Sequence, residues 1–281
     1  MSKTFNMFHF GRGLSPLEEV CMESFVAHGH DLVLHSYEEL KVPAGVGLAD
    51  ASRVLPKSEL FHFDGSPSAF SNIFRYKLLL ENGGWWVDTD VLCLTDSVPD
   101  CEYAWANEDS ENINGAILKF PRFDKLGKIL LETSKIRAEN LTAWGQLGPR
   151  LLTEVLSDFD PDQHLGNIHL FYPIHWLETH MLWMRNGAQF INTRIEGAMF
   201  LHLWNSLFSK MGIDPQKKPP IGSFLEQILG ERASSMEIDP RPEPEILDAI
   251  KHFLSRHPGP RRRYEEVLKR EWADIFPSQA N

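Results

Sequence analysis

The amino-acid sequence predicts an α/β fold with a sheet flanked by helices and with a helical tail at its C-terminal end. Two short strand-like segments, Phe5 to Phe10 and Asp31 to Leu34, enclose one helix, and this order is typical of a βαβ unit. Helical and strand-like patterns continue to Gly230, and prolines then punctuate short, highly charged helical patterns. We therefore expect one large domain over residues 1–230 and a tail over residues 231–281.

The first helix has a clear start signal in Ser15-Pro16-Leu17-Glu18, where a serine cap and a glutamate three residues later form a capping box. Parallel sheets built from βαβ units bind ligands beyond the carboxyl ends of their strands. Phe8 lies near the end of the first strand and is therefore a candidate contact for a flat ring of a ligand. The alternative is that its ring only fills the core.

Charge and composition argue against several classes of protein. The chain has 28 Lys and Arg against 39 Asp and Glu, and this net charge of −11 repels nucleic-acid phosphates and anionic lipid surfaces. The N-terminal residues lack the apolar core of a signal peptide, and no stretch approaches the roughly 18 apolar residues of a membrane span. We expect a cytoplasmic protein.

The three cysteines of the chain have no zinc-like spacing and are expected to be buried thiols.

A second helix follows a loop-rich stretch over residues 43–67. Its apolar residues recur at helical spacing, namely Phe70, Ile73, Phe74 and Leu78. Gly83-Gly84 is expected to end the helix and to return the chain directly into a strand that runs from Trp85 to Leu94.

Two aspartates, Asp88 and Asp90, interrupt this apolar strand. Aspartate is depleted in strands, so two of them in one apolar run need a reason. In an extended chain, residues i and i+2 point to the same face about 6.5 to 7 Å apart, close enough to share one cation or its water shell. Oxygen ligands select hard cations such as Mg²⁺ or Mn²⁺, and a diphosphate often completes their coordination. The alternative is a strand end that enters solvent, where the aspartates only make turns.

The helix before the strand carries a polar pair, Asn72 and Arg75, which lie three residues apart on one face. The tight glycine stop is expected to bring Arg75 near the acids. A guanidinium there either holds a carboxylate in an ion pair or donates hydrogen bonds to a sugar or phosphate, and both roles stay open.

The block FSNIFRYKLLLENGGWWVDTDVLCL resembles the sugar-binding region of retaining glycosyltransferases, which include α-mannosyltransferases, α-1,4-galactosyltransferases and large glucosylating toxins. The matching positions are Ser71, Arg75, Tyr76, Leu79, Gly83, Gly84, Trp86, Asp88 and Asp90. One position departs from the family pattern. Asn72 stands where relatives have an aspartate that helps to bind the hydroxyl groups of the donor sugar, so the sugar is not identified by the resemblance.

The resemblance implies a GT-A-type fold, with a single Rossmann-like mixed sheet flanked by helices, that binds a nucleotide diphospho-sugar. It implies Asp90 as a direct metal ligand, and Asp88 as a contact to the ribose and to metal-bound water. Together with the ring-docking hypothesis above, the expected contacts to the nucleotide-sugar are Phe8, Ser71, Asn72, Arg75, Trp86, Asp88 and Ser206. The residues expected to act in catalysis are Asp88, Asp90 and Arg75.

A weaker similarity to the family extends to His202-Leu203-Trp204-Asn205-Ser206. This segment resembles the one that closes over the diphosphate in the family. His202 is therefore expected to join Asp88 and Asp90 as a metal ligand or to contact the diphosphate. Its neighbours are apolar, and the alternative is a histidine whose hydrogen bonds are satisfied within the core.

The function that the resemblance implies is transfer of a sugar, with retention of configuration, from a nucleotide-sugar to a saccharide or glycolipid acceptor. A UDP-sugar is preferred over a GDP-sugar, Mn²⁺ or Mg²⁺ is the expected cofactor, and peripheral membrane contact is compatible with a glycolipid acceptor. Two alternatives are a non-catalytic carbohydrate-binding protein on the same fold and a phosphatase of the haloacid-dehalogenase type. The phosphatase also needs a downstream acidic pair for Mg²⁺, and neither an Asp-Asp pair nor a G-D-x-x-x-D motif follows Asp90.

Overall fold

A computed structural model of the chain describes residues 2–11, 13–109, 112–159 and 164–257. It divides into two compact units, one formed by residues 1–175 with 188–203 and the other by residues 176–187 with 204–281. The domain boundary expected after residue 230 stays a prediction. Residues 258–281 of the expected tail lie outside the described residues.

The first unit is built on a seven-stranded mixed sheet. The strands in chain order are β1 (Thr4–His9), β2 (Asp31–Ser36), β3 (Val46–Asp50), β4 (Gly84–Val87), β5 (Val91–Cys93), β6 (Tyr103–Asn107), β7 (Ile113–Phe120), β8 (His164–Leu165) and β9 (Phe200–His202). The sheet has the order β3-β2-β1-β4-β7-β6-β8, while β5 and β9 form a separate two-stranded ribbon. β1 pairs in parallel with β2 and β4, whereas β7 is antiparallel to both of its neighbours. The predicted α/β class with a mixed sheet is confirmed.

The helices flank this sheet in the first unit and make up most of the second. In chain order they are α1 (Pro16–Ala27), α2 (Ser68–Asn82), α3 (Lys125–Ala138), α4 (Pro149–Leu156), α5 (Ile168–Phe171), α6 (His180–Trp183), α7 (Gly187–Arg194), α8 (Asn205–Lys210), α9 (Phe224–Leu229), α10 (Arg232–Ser235) and α11 (Glu243–Ser255). The predicted capping box at α1 is confirmed, because Ser15 Oγ accepts the Glu18 N–H at 3.2 Å and the Glu18 carboxylate accepts the Ser15 N–H at 2.9 Å.

The junction between α2 and β4 determines which side chains of β4 point towards α2. Gly83 has φ 68°, and a Cβ atom there would lie 2.7 Å from the backbone nitrogen of Arg122, so only glycine fits. In β4, consecutive side chains point to opposite faces of the sheet. Trp85 packs 5.4 Å from Phe5, whereas Trp86 faces Phe74 of α2 at 6.3 Å between ring centroids. The Asp88 side chain points to the same side as Trp86 and meets Arg75 of α2.

The region predicted to be loop-rich, residues 43–67, contains a strand that the prediction missed. β3 pairs in parallel with β2 along its full length, and two single-turn 3₁₀ helices follow it. β3 is an edge strand with mostly exposed or half-exposed side chains, so its sequence lacks an apolar alternation. Its pairing partner, rather than its own pattern, makes it a strand.

The second unit, described by itself, has a small apolar core. Ile246, Ile250 and Phe253 of α11 are buried at the helical spacing of one face. An isolated parallel bridge joins Lys218 to Ile238, and Lys217 forms an ion pair with Glu237 beside it.

None of the helices in the described ranges combines the length and apolarity that a membrane crossing requires.

Candidate metal and nucleotide-sugar site

The acid pair lies in a turn rather than in an extended strand. β4 ends at Val87, the Asp88 N–H donates to the Ala116 carbonyl at 2.8 Å, and the Val91 N–H donates back to the Asp88 carbonyl at 3.2 Å. The expectation of a continuous strand through both aspartates is therefore wrong. The chain leaves the main sheet at this point because β5 pairs with β9 instead. Within this turn, one carboxylate oxygen of Asp88 lies within 4.8 Å of one carboxylate oxygen of Asp90.

The β5–β9 ribbon brings His202 to the acids. Val91 is paired with His202, and the Leu203 N–H donates to the Asp90 carbonyl at 2.9 Å. His202 Nε2 lies 3.3 Å from Asp90 Oδ1. One ligand atom from each of Asp88, Asp90 and His202 lies within 4.8 Å of the others, and over the described ranges no second group of three such residues meets this condition.

Arg75 anchors Asp88. Its guanidinium donates to Asp88 Oδ1 at 2.6 Å, and the indole N–H of Trp86 donates to the same oxygen at 2.8 Å. Arg75 also donates to Asn72 Oδ1 at 3.0 Å and lies 5.0 Å from the centroid of the Trp86 ring. Arg75 is only 5% exposed, so these partners replace the water that would otherwise solvate its guanidinium group. Of the two roles left open for Arg75, the ion pair is present.

The electrostatics of the cluster favour a positive charge at its centre. Burial lowers the pKa of His202, but Asp90, and more weakly Asp88 and Glu108, outweigh burial and raise that pKa above its ordinary value. The protein without a metal thus holds a proton on His202 more tightly than a free imidazole would. Two carboxylates and one imidazole are a donor set that fits a divalent cation, since the cation would replace this counter-charge.

Glu108 is a residue near the cluster that the sequence interpretation missed. Burial raises the pKa of Glu108 to about 7, with a smaller contribution from Asp109, while Asn114 and His202 act to lower it. Its carboxylate accepts a hydrogen bond from the Asn114 side chain, and Asn114 Oδ1 accepts the Ala116 N–H at 2.6 Å. Glu108 therefore supports the stretch of β7 that bonds to the backbone of Asp88. Glu108 lies beside Asp109 in a short acidic segment whose sequence contains no recognisable motif.

Gly115 is the second residue that the sequence interpretation missed. A Cβ atom at Gly115 would lie 2.2 Å from Arg75 Nη1 and 3.0 Å from Leu152 Cδ1. The bare backbone of Gly115 therefore makes room for the guanidinium beside Asp88. A glycine inside an apolar strand signals a close approach, and this signal was present in the sequence.

The remaining predicted contacts differ in their accessibility. Phe8 is 7% exposed and its ring stacks on Phe74 at 4.3 Å, so it belongs to the core. Trp86 is 1% exposed and reaches the cluster through its N–H on Asp88. Ser71 is half-buried on α2, and Ser206 is an exposed residue of α8 in the second unit. Their contacts with a ligand stay predictions.

Comparison with known proteins gives one family match and several structural likenesses. Residues 140–228 match the family model described as the alpha-1,4-glycosyltransferase conserved region, which confirms the resemblance to glycosyltransferases. The comparison with curated protein sequences gives no match.

Three solved structures are similar to the chain. The PaToxG glycosyltransferase is 11% identical over 84% of this chain and 85% of its own, with a TM-score of 0.45. The WbbM bifunctional glycosyltransferase, in its apo structure, is 12% identical over 88% of this chain and 51% of its own, with a TM-score of 0.46. The galactosyltransferase LgtC, in complex with donor and acceptor sugar analogs, is 13% identical over 86% of this chain and 98% of its own, with a TM-score of 0.39.

Proposed function

Residues 140–228 match the alpha-1,4-glycosyltransferase conserved region, and from this match we propose that the chain is a metal-dependent enzyme that transfers a sugar from a nucleotide-sugar to an acceptor. The observation that carries the proposal is the convergence of Asp88, Asp90 and His202 within 4.8 Å of one another. Mn²⁺ or Mg²⁺ is the cation that two carboxylates and a diphosphate would hold between them.

Asp90 and His202 are proposed as direct metal ligands, and Asp88 as the contact to the ribose and to metal-bound water. Arg75 and Trp86 both donate to Oδ1 of Asp88, which leaves Oδ2 to face a ligand. When bound, the cation supplies a Lewis acid that stabilises the negative charge of the departing nucleoside diphosphate. The ion pair with Arg75 holds the Asp88 carboxylate in one orientation.

The sugar side of the site is proposed to involve Asn72 and Arg75. Asn72 Nδ2 donates to the Ser68 carbonyl at 2.9 Å and its Oδ1 accepts from Arg75, so Asn72 is oriented before any ligand arrives. An amide offers a donor sugar both a donor and an acceptor, unlike the aspartate of relatives. The contact of Ser206 with the diphosphate and the contact of Ser71 with the donor are parts of the same proposal. Phe8 is left out of it, because its ring packs on Phe74 in the core.

The finer parts of the proposal concern stereochemistry and substrate. We propose retention of the anomeric configuration through attack on the same face as the departing phosphate, so no dedicated base is assigned. A UDP-sugar is the preferred donor and a saccharide or glycolipid is the acceptor, in polysaccharide or glycolipid synthesis at the cytoplasmic side. Peripheral membrane contact would serve a glycolipid acceptor.

The test is a thermal-shift screen of UDP- and GDP-sugars with Mn²⁺, followed by hydrolysis and transfer assays on each donor that stabilises the protein. The effective donor is expected to raise the melting temperature only when the metal is present. Asp90→Asn is expected to remove this shift and to lower turnover by at least about a hundredfold, since one metal contact is lost. Asp96→Asn changes an exposed aspartate of the same unit and is the matched control.

Two outcomes would contradict the proposal. Turnover that survives in Asp90→Asn would remove the metal role. Carbohydrate binding by the wild-type protein without hydrolysis or transfer of any donor would favour the non-catalytic alternative.

A further inference from the structure

The segment of β7 that holds the Asp88 backbone lies where the pairing of β7 with β6 is irregular. The register of β6 against β7 shifts between Ala104 and Ala106, and residues 115–118 of β7 are left outside the regular pairs of this ladder. On its other side the segment keeps its register with β4, and the Ala116 carbonyl accepts the Asp88 N–H at 2.8 Å. The backbone beside the acid pair therefore needs support from outside β6.

The Tyr172 hydroxyl supplies hydrogen bonds at this irregularity. It accepts the Ile117 N–H at 3.1 Å and donates a long hydrogen bond, at 3.5 Å, to the Asn114 carbonyl. Tyr172 is 1% exposed, so water does not compete for these two backbone groups. Because a buried N–H without an acceptor is strongly unfavourable, the hydroxyl stabilises the irregular conformation of β7. Its two partners lie on either side of the Ala116 carbonyl that holds Asp88.

The ring of Tyr172 lies against the imidazole of His202. The two ring centroids are 6.0 Å apart and the rings are inclined at 64°, an edge-to-face arrangement. Tyr172 directly follows α5, and the Leu170 carbonyl of α5 accepts the N–H of Met199, the residue before β9, at 2.9 Å. A backbone hydrogen bond thus keeps Tyr172 beside the strand that carries His202.

We propose that Tyr172 is a positioning residue of the metal site, an inference that rests on the proposed function. Its hydroxyl holds the β7 backbone to which Asp88 is bonded, and its ring holds the imidazole of His202. Asp88 and His202 come from distant parts of the sequence, and this one side chain contacts the support of the first and the ring of the second. The hydroxyl is engaged by the β7 backbone, so Tyr172 acts on the cation through these two residues.

The metal site is expected to be sensitive to this support. A protein-bound cation holds its ligand atoms within about 0.2 Å of set distances. Residues that orient the ligands commonly change the metal affinity by about 10- to 100-fold. Tyr172→Phe removes the hydroxyl and keeps the ring, so it releases the β7 segment beside Asp88 while the contact with His202 remains.

The experiment measures Mn²⁺ binding to the folded protein at a temperature well below unfolding, from the electron paramagnetic resonance signal of free Mn²⁺. Tyr172→Phe is expected to raise the Kd for Mn²⁺ about tenfold. Tyr37→Phe is the matched control, because the Tyr37 hydroxyl also donates to a backbone carbonyl, that of Leu55, at 2.9 Å. This control is expected to keep the wild-type Kd.

A double-mutant cycle separates positioning from a general effect on the fold. Because the Tyr172 hydroxyl acts through Asp88, Tyr172→Phe should raise the Kd only about twofold when Asp88→Asn is already present. An equal tenfold effect in both backgrounds would overturn the proposal. An unchanged Kd in Tyr172→Phe, or a Tyr172→Phe protein that loses its fold rather than its affinity, would overturn it as well.

Kinetics with the donor that hydrolysis identifies give a second readout. At low Mn²⁺ the turnover of Tyr172→Phe should fall, and saturating Mn²⁺ should restore most of kcat, because the residue acts on the placement of the cation. A kcat that stays low at saturating Mn²⁺ would contradict this role. Failure of the proposed function looks different, since the wild-type protein would then bind no Mn²⁺ and hydrolyse no donor.

Discussion

Arg75 donates a 2.6 Å hydrogen bond to Asp88, and the pair joins the middle of α2 to the first residue after β4. Arg75 is 5% exposed, whereas 29% of the Asp88 side chain is exposed. A buried cation is thus neutralised by a carboxylate at the surface of the site. The stability of the fold and the orientation of the site depend on the same contact.

Two replacements of Asp88 separate the stabilising effect of its charge from that of its oxygen acceptors. Asp88→Ala leaves the buried guanidinium without its carboxylate and the Trp86 indole without its acceptor, and we expect a loss of about 2 to 3 kcal/mol in the free energy of unfolding. Asp88→Asn retains an oxygen acceptor for both donors and should lose about 1 kcal/mol or less. Urea denaturation of the metal-free proteins measures both values. Equal losses would contradict this expectation and would show that the carboxylate charge, rather than an oxygen acceptor, stabilises Arg75.

Gly115 tests the space that Arg75 needs. An alanine methyl group would lie 2.2 Å from Arg75 Nη1, so Gly115→Ala should displace the guanidinium and cost about 1 to 3 kcal/mol of stability. Gly13→Ala is the matched control, because a Cβ atom at Gly13 meets no atom within 4 Å. Thermal unfolding of the two variants should differ clearly. A wild-type melting temperature in Gly115→Ala would contradict the close packing of Gly115 against the Arg75 guanidinium.

The two glycines at the end of α2 should respond differently to the same substitution. Both have positive φ angles, 68° at Gly83 and 84° at Gly84, so alanine at either position costs about 1 to 3 kcal/mol in backbone strain. Gly83→Ala also pushes a methyl group to 2.7 Å from the Arg122 backbone nitrogen, whereas Gly84→Ala meets nothing within 4 Å. We expect Gly83→Ala to lose at least about 2 kcal/mol more in urea denaturation. Equal losses would assign the effect to backbone strain alone.

Glu108 should make the metal-free protein less stable as the pH rises. Burial raises its pKa from 4.5 to about 7, so between these values the folded state binds more protons than the unfolded state. The contribution of Glu108 is most favourable below pH 4.5 and falls by roughly 3 kcal/mol as the pH rises through 7. Glu108→Gln keeps an acceptor for Asn114 and should remove this dependence.

The measurement is chemical denaturation of both proteins between pH 5 and 8 in the presence of a chelator. The stability of Glu108→Gln relative to the wild-type protein should increase with pH across this range. His202 has a raised pKa and changes stability in the same direction, but it is present in both proteins. Parallel pH profiles would contradict the assignment to Glu108.

Short-range features of the sequence predicted several parts of the site correctly. The capping box at Ser15, the shared face of Asn72 and Arg75, and the stop at Gly83 each depend on residues within a few positions of one another. Local hydrogen bonds and backbone preferences decide such features, so a short window of sequence contains the relevant information. The approach of Arg75 to the acids followed from these local elements.

Other parts of the site were decided only by the tertiary structure. The turn at Asp88–Asp90 exists because β5 pairs with β9, and the same pairing brings His202 beside Asp90. The burial of Phe8 and the raised pKa of Glu108 likewise arise from neighbours distant in the chain. The sequence by itself determined which residues could serve as ligands and which helix would face them. Their convergence depends on strand pairing and burial over the whole unit, which no local pattern encodes.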